Sequence, residues 1–140
     1  MKRLLLDTGP LVALLDRDDP AHAFTRDRLP KTPATLLTTG AVITECMFFL
    51  QDLPDGPHRL AEFLSAPCVG RVDVFAPTSL KACSELLRKY SDTPMDFADA
   101  TLVLAATLLR LPDILTLDER GFRTYRYDLK RPFRLFLQKQ

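Results

Sequence analysis

Thr93-Pro94-Met95-Asp96-Phe97-Ala98-Asp99-Ala100-Thr101-Leu102-Val103-Leu104-Ala105-Ala106 is the stretch whose reading decides the fold. From Ala98 to Leu111 the residues are apolar on nearly every side, interrupted only by Asp99, two threonines and Arg110. That is the composition of a helix sunk into a core rather than laid upon one. Thr93 as N-cap, Pro94 as first helical residue and Asp96 three positions after the cap spell a capping box, which gives Asp96 a structural use as an alternative to a site role. Asp99 lies one turn further in, on the same face as Asp96 and beyond the reach of that cap. A carboxylate buried there without a partner is costly, so a positive group is expected beside it.

Upstream, Leu4-Leu5-Leu6 is a short apolar run of the kind that forms a strand covered on both faces. It stops at Asp7-Thr8-Gly9-Pro10, where Asp7 reads either as the N-cap of a helix running to Leu15 or as a site residue. A turn over 16–20 leads to a polar-faced helix from Ala21 to Leu29, with His22 expected in solvent. Ala34 to Thr38 reads as a second strand, followed by a helix from Ala41 to Leu50. In that helix Glu45 is the only charge, too deep for the first turn or a cap from Thr38 or Thr39 to explain. His58 to Ala66 is amphipathic, with Leu60, Phe63 and Leu64 inward. Val72 to Ala76 alternates as an edge strand with Asp73 outward, and Thr78 to Tyr90 forms another helix.

Downstream of the central helix, Ile114 to Leu117 is an apolar strand that runs into Asp118, either a cap of the turn Glu119-Arg120-Gly121-Phe122 or a site acid. Tyr125 to Tyr127 adds a last strand. Lys130 to Leu137 alternates basic and apolar residues, which suits an edge strand or a docking arm.

Composition narrows the class. A chain of 140 residues with 46% hydrophobic content and nine Phe is expected to fold as one domain, 1–140. Lys plus Arg (19) nearly cancels Asp plus Glu (18), so a nucleic-acid role would rest on local basic patches rather than net charge. Cys46, Cys68 and Cys83 are odd in number and widely spaced, which fits reduced thiols, and neither His22 nor His58 has the spacing of a zinc ligand. The apolar run after Met1 is too short for a signal peptide, and no stretch is long enough to span a membrane. A cytoplasmic protein is expected.

Strands alternating with helices predict an α/β fold with a mostly parallel sheet and ligands beyond the carboxyl ends of its strands. Asp7 and Asp118 stand at strand ends, while Glu45 and Asp99 lie early in helices that start near the same edge. Four carboxylates about 5 Å apart at an effective dielectric of about 20 repel by roughly 3 kcal/mol per pair, which calls for a cation. All-oxygen ligands select a hard divalent ion, Mg²⁺ or Mn²⁺, and such a cluster suits hydrolysis of a phosphodiester by activated water.

The segments Leu5 to Asp16, Thr44-Glu45, Met95 to Ala100 and Leu115 to Phe122 together resemble the successive motifs of the PIN-domain ribonucleases, especially the VapC-type toxins of toxin–antitoxin pairs. The resemblance spans almost the whole chain, with Gly9 standing where many members carry Ser. It implies a three-layer α/β/α fold, Mg²⁺- or Mn²⁺-dependent endoribonuclease activity, homodimers and a small VapB-like antitoxin. It assigns catalysis and metal binding to Asp7, Glu45, Asp99 and Asp118, adds Asp96 at the rim as a further metal acid, and gives Thr8 and Thr116 the orientation of water or phosphate. Substrate RNA is expected to meet Arg120, Arg123 and Arg126, within a late basic cluster that includes Lys130, Arg131 and Arg134.

The main non-enzymatic alternative is a Mg²⁺-binding α/β regulatory or interaction module. A receiver domain would need an acceptor Asp at a mid-chain strand end and a late strand-end Lys, which Val72 to Ala76 and Ile114 to Leu117 do not supply. A haloacid-dehalogenase-type phosphatase wants a second acid two residues after Asp7, where Gly9 stands.

Overall fold

Leu4, Leu5 and Leu6 are fully buried in the computed structural model, which describes residues 1–138. Successive strand residues point to opposite faces, so burial of all three means both faces of their strand are covered. Each such leucine contributes about 2 kcal/mol by leaving water. Their strand, β1 (Lys2–Leu6), is followed by α1 (Thr8–Leu15), α2 (His22–Asp27), β2 (Ala34–Thr39), α3 (Gly40–Leu50), α4 (Gly56–Leu64) and β3 (Val69–Val72). Then come α5 (Pro77–Lys89), α6 (Phe97–Leu109), β4 (Asp113–Leu115), α7 (Glu119–Thr124), β5 (Arg126–Tyr127), β6 (Arg131–Pro132) and β7 (Arg134–Leu135).

Five strands form a parallel sheet in the order β3-β2-β1-β4-β7, and β5 and β6 form a small antiparallel ribbon. With helices over both faces this is a three-layer α/β/α arrangement. From β1 the chain builds outward through β2 and β3, then returns to place β4 on the other side of β1. The connections reverse direction between β1 and β4, and the crevice at the carboxyl ends of such a pair is where open α/β sheets bind ligands.

Helix α6 is the buried helix that its composition predicts. Ala98, Ala100, Thr101, Leu102, Val103, Ala105 and Ala106 are all buried, and α6 packs against α3, α5, β2 and β5. Its start differs from the sequence expectation. Asp96, not Thr93, is the N-cap, and the capping box pairs Asp96 with Asp99 at the third helical position. Pro94 and Met95 lie outside the helix, so the Thr93 pattern matched the motif three residues too early. Asp99 therefore does have a capping use, contrary to the sequence argument.

The strand expected over Val72 to Ala76 sits earlier, at Val69–Val72, paired with Leu36 to Thr39 of β2. Val74 is buried without strand pairing, and Asp73 folds its carboxylate back to accept the Phe75 N–H at 3.0 Å, a local turn that competes with extension. The edge placement holds, since β3 closes one side of the sheet. His22 is not fully in solvent: it is half-buried, with Nδ1 2.7 Å from the Ala13 carbonyl oxygen. The basic-apolar tail does supply an edge strand, β7, whose Leu135 pairs with Ile114.

Candidate active site at the carboxyl edge of the sheet

Register alone brings the first residues together. Leu5 and Leu6 pair with Ile114 and Leu115, and the ladder continues through a 3.0 Å bond from the Asp7 N–H to the Leu115 carbonyl. Asp7 and Thr116 are consequently neighbours, and the Thr116 hydroxyl donates to Asp7 Oδ2 at 2.7 Å. The other oxygen, Oδ1, accepts the Thr8 N–H at 2.8 Å, so Asp7 does cap α1 while remaining a buried carboxylate. Thr116 Oγ1 also accepts the Asp118 N–H at 3.0 Å, tying the two strand-end acids to one hydroxyl.

On the other side, Thr38 donates to the Leu6 carbonyl at 2.8 Å, and Thr39 caps α3 while sharing a buried 2.8 Å hydrogen bond with Thr101 of α6. These threonines fix the starts of α3 and α6 to each other, and with them Glu45 and Asp99. Glu45 Oε1 accepts the Thr8 hydroxyl at 2.7 Å, and its carboxyl group also meets that of Asp96. Asp96 and Asp99 exchange backbone-to-carboxylate bonds of 3.1 and 2.8 Å. Asp118 caps α7 by accepting the Gly121 N–H at 3.0 Å.

The electrostatics follow from this crowding. Burial raises the Asp7 carboxyl to about 6, the Thr116 and Thr8 bonds lower it, and the charges of Asp96 and Asp118 raise it further. Asp99 is pushed up to about 8, first by burial and then by Asp7 and Asp96, against the lowering effect of the Asp96 N–H. Glu45 is raised by burial and by its contacts with Asp96 and Asp7, with Thr8 opposing. Among the described residues the charged neighbours that shift Asp99 are other acids, Asp7 and Asp96, rather than the positive group expected beside it. The structure thus brings Asp7, Glu45, Asp96, Asp99 and Asp118 into one electrostatic neighbourhood, with Thr8 and Thr116 between them.

Among the described residues, no three His, Cys, Asp or Glu side chains are already closed around a single point as a metal cage. The donor set nevertheless fits a hard divalent cation: it is all carboxylate and hydroxyl, mutually repelling and partly buried, and a cation there would relieve the repulsion. Cys46, buried behind Glu45 with its thiol pushed up to about 12 by burial and by the charges of Asp7 and Glu45, stays a neutral packing residue.

The arginines fare differently. Among the described residues the guanidinium of Arg120 has no hydrogen bond or ion pair, whereas Arg123 is paired with Glu119 at 2.8 Å, within α7. Arg126 donates to the carbonyls of Arg123, Thr124 and Tyr125 and so closes the end of α7. Arg134 forms a two-pronged pair with Asp113 at 3.0 and 2.9 Å. Both residues begin parallel strands, so that pair lies at the opposite edge of the sheet from the acids.

Several supporting residues escaped the sequence reading. A Cβ at Gly121 would lie 2.3 Å from Asp118 Oδ2, so glycine is what lets that carboxylate fold onto the backbone; the Asp-x-x-Gly spacing was the available signal. Gly9 stands out in the sequence, but its surroundings do not: a Cβ there would meet the Leu117 side chain at 3.3 Å, so a serine at this place would be crowded. The Thr39–Thr101 bond joins residues too far apart in sequence to suggest one another.

A family model described as the PIN domain matches residues 4–127. Ribonuclease VapC26 of Mycobacterium tuberculosis is 25% identical over 136 residues, covering 88% of this chain and 92% of its own length. Among solved structures, the sarcin–ricin-loop-cleaving toxin VapC20 of Mycobacterium tuberculosis superposes with a TM-score of 0.78 at 18% identity, covering 92% of this chain and 99% of that one. A toxin–antitoxin complex from Klebsiella pneumoniae gives 0.62 at 18% identity, covering 86% and 91%.

Proposed function

The chain belongs to the PIN-domain family, and from that premise we propose that it is a VapC-type endoribonuclease, a toxin that hydrolyses RNA phosphodiester bonds using Mg²⁺ or Mn²⁺. The observation that carries the reading is the convergence of five carboxylates from four separate segments at the strand reversal of the sheet. The whole of 1–140 acts in this reading as one nuclease domain.

Asp7 and Asp99 are the principal metal ligands, Glu45 and Asp118 complete the site, and Asp96 adds a carboxylate at its rim. Bound there, a divalent cation makes water more acidic and offsets charge on the phosphate undergoing attack. Thr116 and Thr8 keep the Asp7 carboxylate in one orientation through their bonds to its two oxygens. The Thr8 hydroxyl also holds Glu45 in place to orient the attacking water, whose proton passes to solvent as the new P–O bond forms. The P–O bond on the opposite side of phosphorus then breaks, and the departing oxygen leaves with its RNA fragment. Arg120, exposed and unpaired among the described residues, is the arginine of α7 best placed to meet a neighbouring phosphate.

A small VapB-like antitoxin covering the site and a homodimeric state complete the proposal. Support for protein partners comes from Met47, Phe48 and Phe49 on α3, which are 36%, 65% and 58% exposed. Among the described residues no helix is long and apolar enough to cross a membrane, and the reading places the protein in the cytoplasm with its RNA. The test is incubation of the purified protein with total cellular RNA in Mg²⁺, Mn²⁺ or EDTA, followed by mapping of new RNA ends. Discrete ends that require metal are expected; intact RNA under all three conditions would refute the reading.

A further inference from the structure

A shallow cleft of about 370 Å³ lies between the start of α3 and the start of α6, and Glu45, Asp96, Phe75 and Phe97 are among the residues that line it. The two phenylalanines are 48% and 36% exposed. Their ring centroids are 6.2 Å apart and their planes are tilted by 42°. Neither ring is used by the core. Phe97 is the first residue of α6, directly after the capping Asp96, and Phe75 stands in the turn that Asp73 holds by accepting its N–H.

From this placement, and resting on the nuclease reading above, we infer that Phe75 and Phe97 form a stacking platform for an unpaired nucleobase next to the phosphate that is cut. Acids and rings line the same cleft, so a nucleotide whose phosphate approaches the acids can set its base against the rings. Charge selects the same occupant. Carboxylates at Glu45, Asp96 and Asp73 disfavour an acidic peptide or an anionic lipid surface, whereas a base is flat and uncharged. A polyanion gains little from an acidic site away from the cation, so affinity beside it has to come from non-ionic contact, which stacking on aromatic rings provides for any base.

The geometry also limits how the base sits. Inserting it between the rings would require roughly 6.8 Å between parallel planes, two stacking distances of about 3.4 Å. The tilted pair does not offer that, so the base lies on an outer face of the platform. Gly40 sets the position of Phe75: a Cβ there would come within 2.3 Å of its Cε2 atom and 3.0 Å of Cζ. Gly40→Ala consequently displaces the ring without removing it.

The experiment first maps a site cut by the wild-type protein in total RNA, then uses a short single-stranded oligoribonucleotide spanning it, with 2-aminopurine beside the cleaved bond. Phe75→Leu and Phe97→Leu keep apolar bulk but lose the π face, and each should raise KM roughly 5- to 150-fold with kcat little changed. Phe75→Tyr and Phe97→Tyr should retain wild-type KM, and Gly40→Ala should raise it. With Mg²⁺ present and a non-hydrolysable phosphate analogue at the scissile bond, binding by wild type should quench the 2-aminopurine, and the Leu variants should lose that quenching. Metal-dependent cleavage with unchanged KM and quenching in both Leu variants refutes the platform alone, whereas absence of any cleavage by wild type refutes the nuclease reading beneath it. A concentration-dependent dimer that the Leu variants abolish, with RNA binding unchanged, assigns the rings to a second copy of the chain and likewise overturns the platform.

Discussion

Replacing Asp7 by Asn removes one negative charge from the crowded edge while keeping the shape of the side chain. Its carboxyl is lifted from 3.8 to about 6, so above pH 7 the ionised group costs the fold about 3 kcal/mol, at about 1.4 kcal/mol for each pH unit of the lift. Between pH 4 and 6 the folded protein holds a proton that the unfolded chain has released. Stability therefore falls as the pH rises through that window. An asparagine carries none of this penalty. Its Oδ1 still accepts the Thr8 N–H, but its amide nitrogen faces the Thr116 hydroxyl that now donates to Oδ2, a mismatch worth about 1 kcal/mol.

In EDTA at pH 8 the variant should gain about 2 kcal/mol, a rise in Tm of roughly 6 °C for a chain of this length. The gain should vanish near pH 4.5, where about 1 kcal/mol of penalty remains to offset the lost bond. RNA cleavage should be abolished at every pH. Saturating Mg²⁺ should raise the Tm of the wild type and not that of the variant, since only a site that binds the ion in the folded state is stabilised by it. The check is a series of thermal melts by circular dichroism with and without the ion. A variant that melts below the wild type by the same margin at pH 8 and pH 4.5 would refute the claim that Asp7 is electrostatically strained.

Three further outcomes are expected. Thr116→Val removes the bond that lowers the Asp7 carboxyl and the acceptor for the Asp118 N–H, so the acidic limb of the pH–activity profile should move upward and cleavage at pH 6 should fall several-fold; an unmoved limb would exclude this role. Tyr125→Phe deletes a fully buried hydroxyl that has no hydrogen-bond partner among the described residues, so stability should hold or rise by about 1 kcal/mol in urea melts, and a loss of that size would show that the hydroxyl is satisfied. Binding of Mn²⁺ at pH 7 should release protons, because Asp99 with its carboxyl near 8 is largely protonated beforehand. Calorimetry in two buffers of different ionisation enthalpy measures this directly, and equal heats in both would contradict it.

Much of the fold was legible because it is written in local periodicity. Leu4 to Leu6 and the apolar circumference of Ala98 to Ala106 each report burial on all sides within a few residues, and the alternation of strands and helices gives the parallel sheet. The candidate acids were legible for a related reason: charges in otherwise apolar surroundings, such as Glu45 in α3, stand out without knowledge of any partner. The errors also have local causes. Thr93-Pro94 satisfies the pattern of a helix start, yet the Asp96 carboxylate and the Asp99 N–H make the actual cap. Val72 to Ala76 alternates like a strand, yet the Asp73 side chain turns the backbone at Phe75.

The sequence by itself determined most of the order of strands and helices, that several acids sit at their junctions, and that oxygen ligands alone are available to a cation there. Only the tertiary structure decided that Thr116 bonds to Asp7, that Thr8 reaches Glu45, that Arg134 lies at the far edge with Asp113, and that Phe75 meets Phe97 beside the acids. The difference is physical: periodicity and capping act within a turn or two of the chain. Register between parallel strands and the packing of one helix start against another join residues separated by as many as 109 positions, and nothing local encodes which of them will meet.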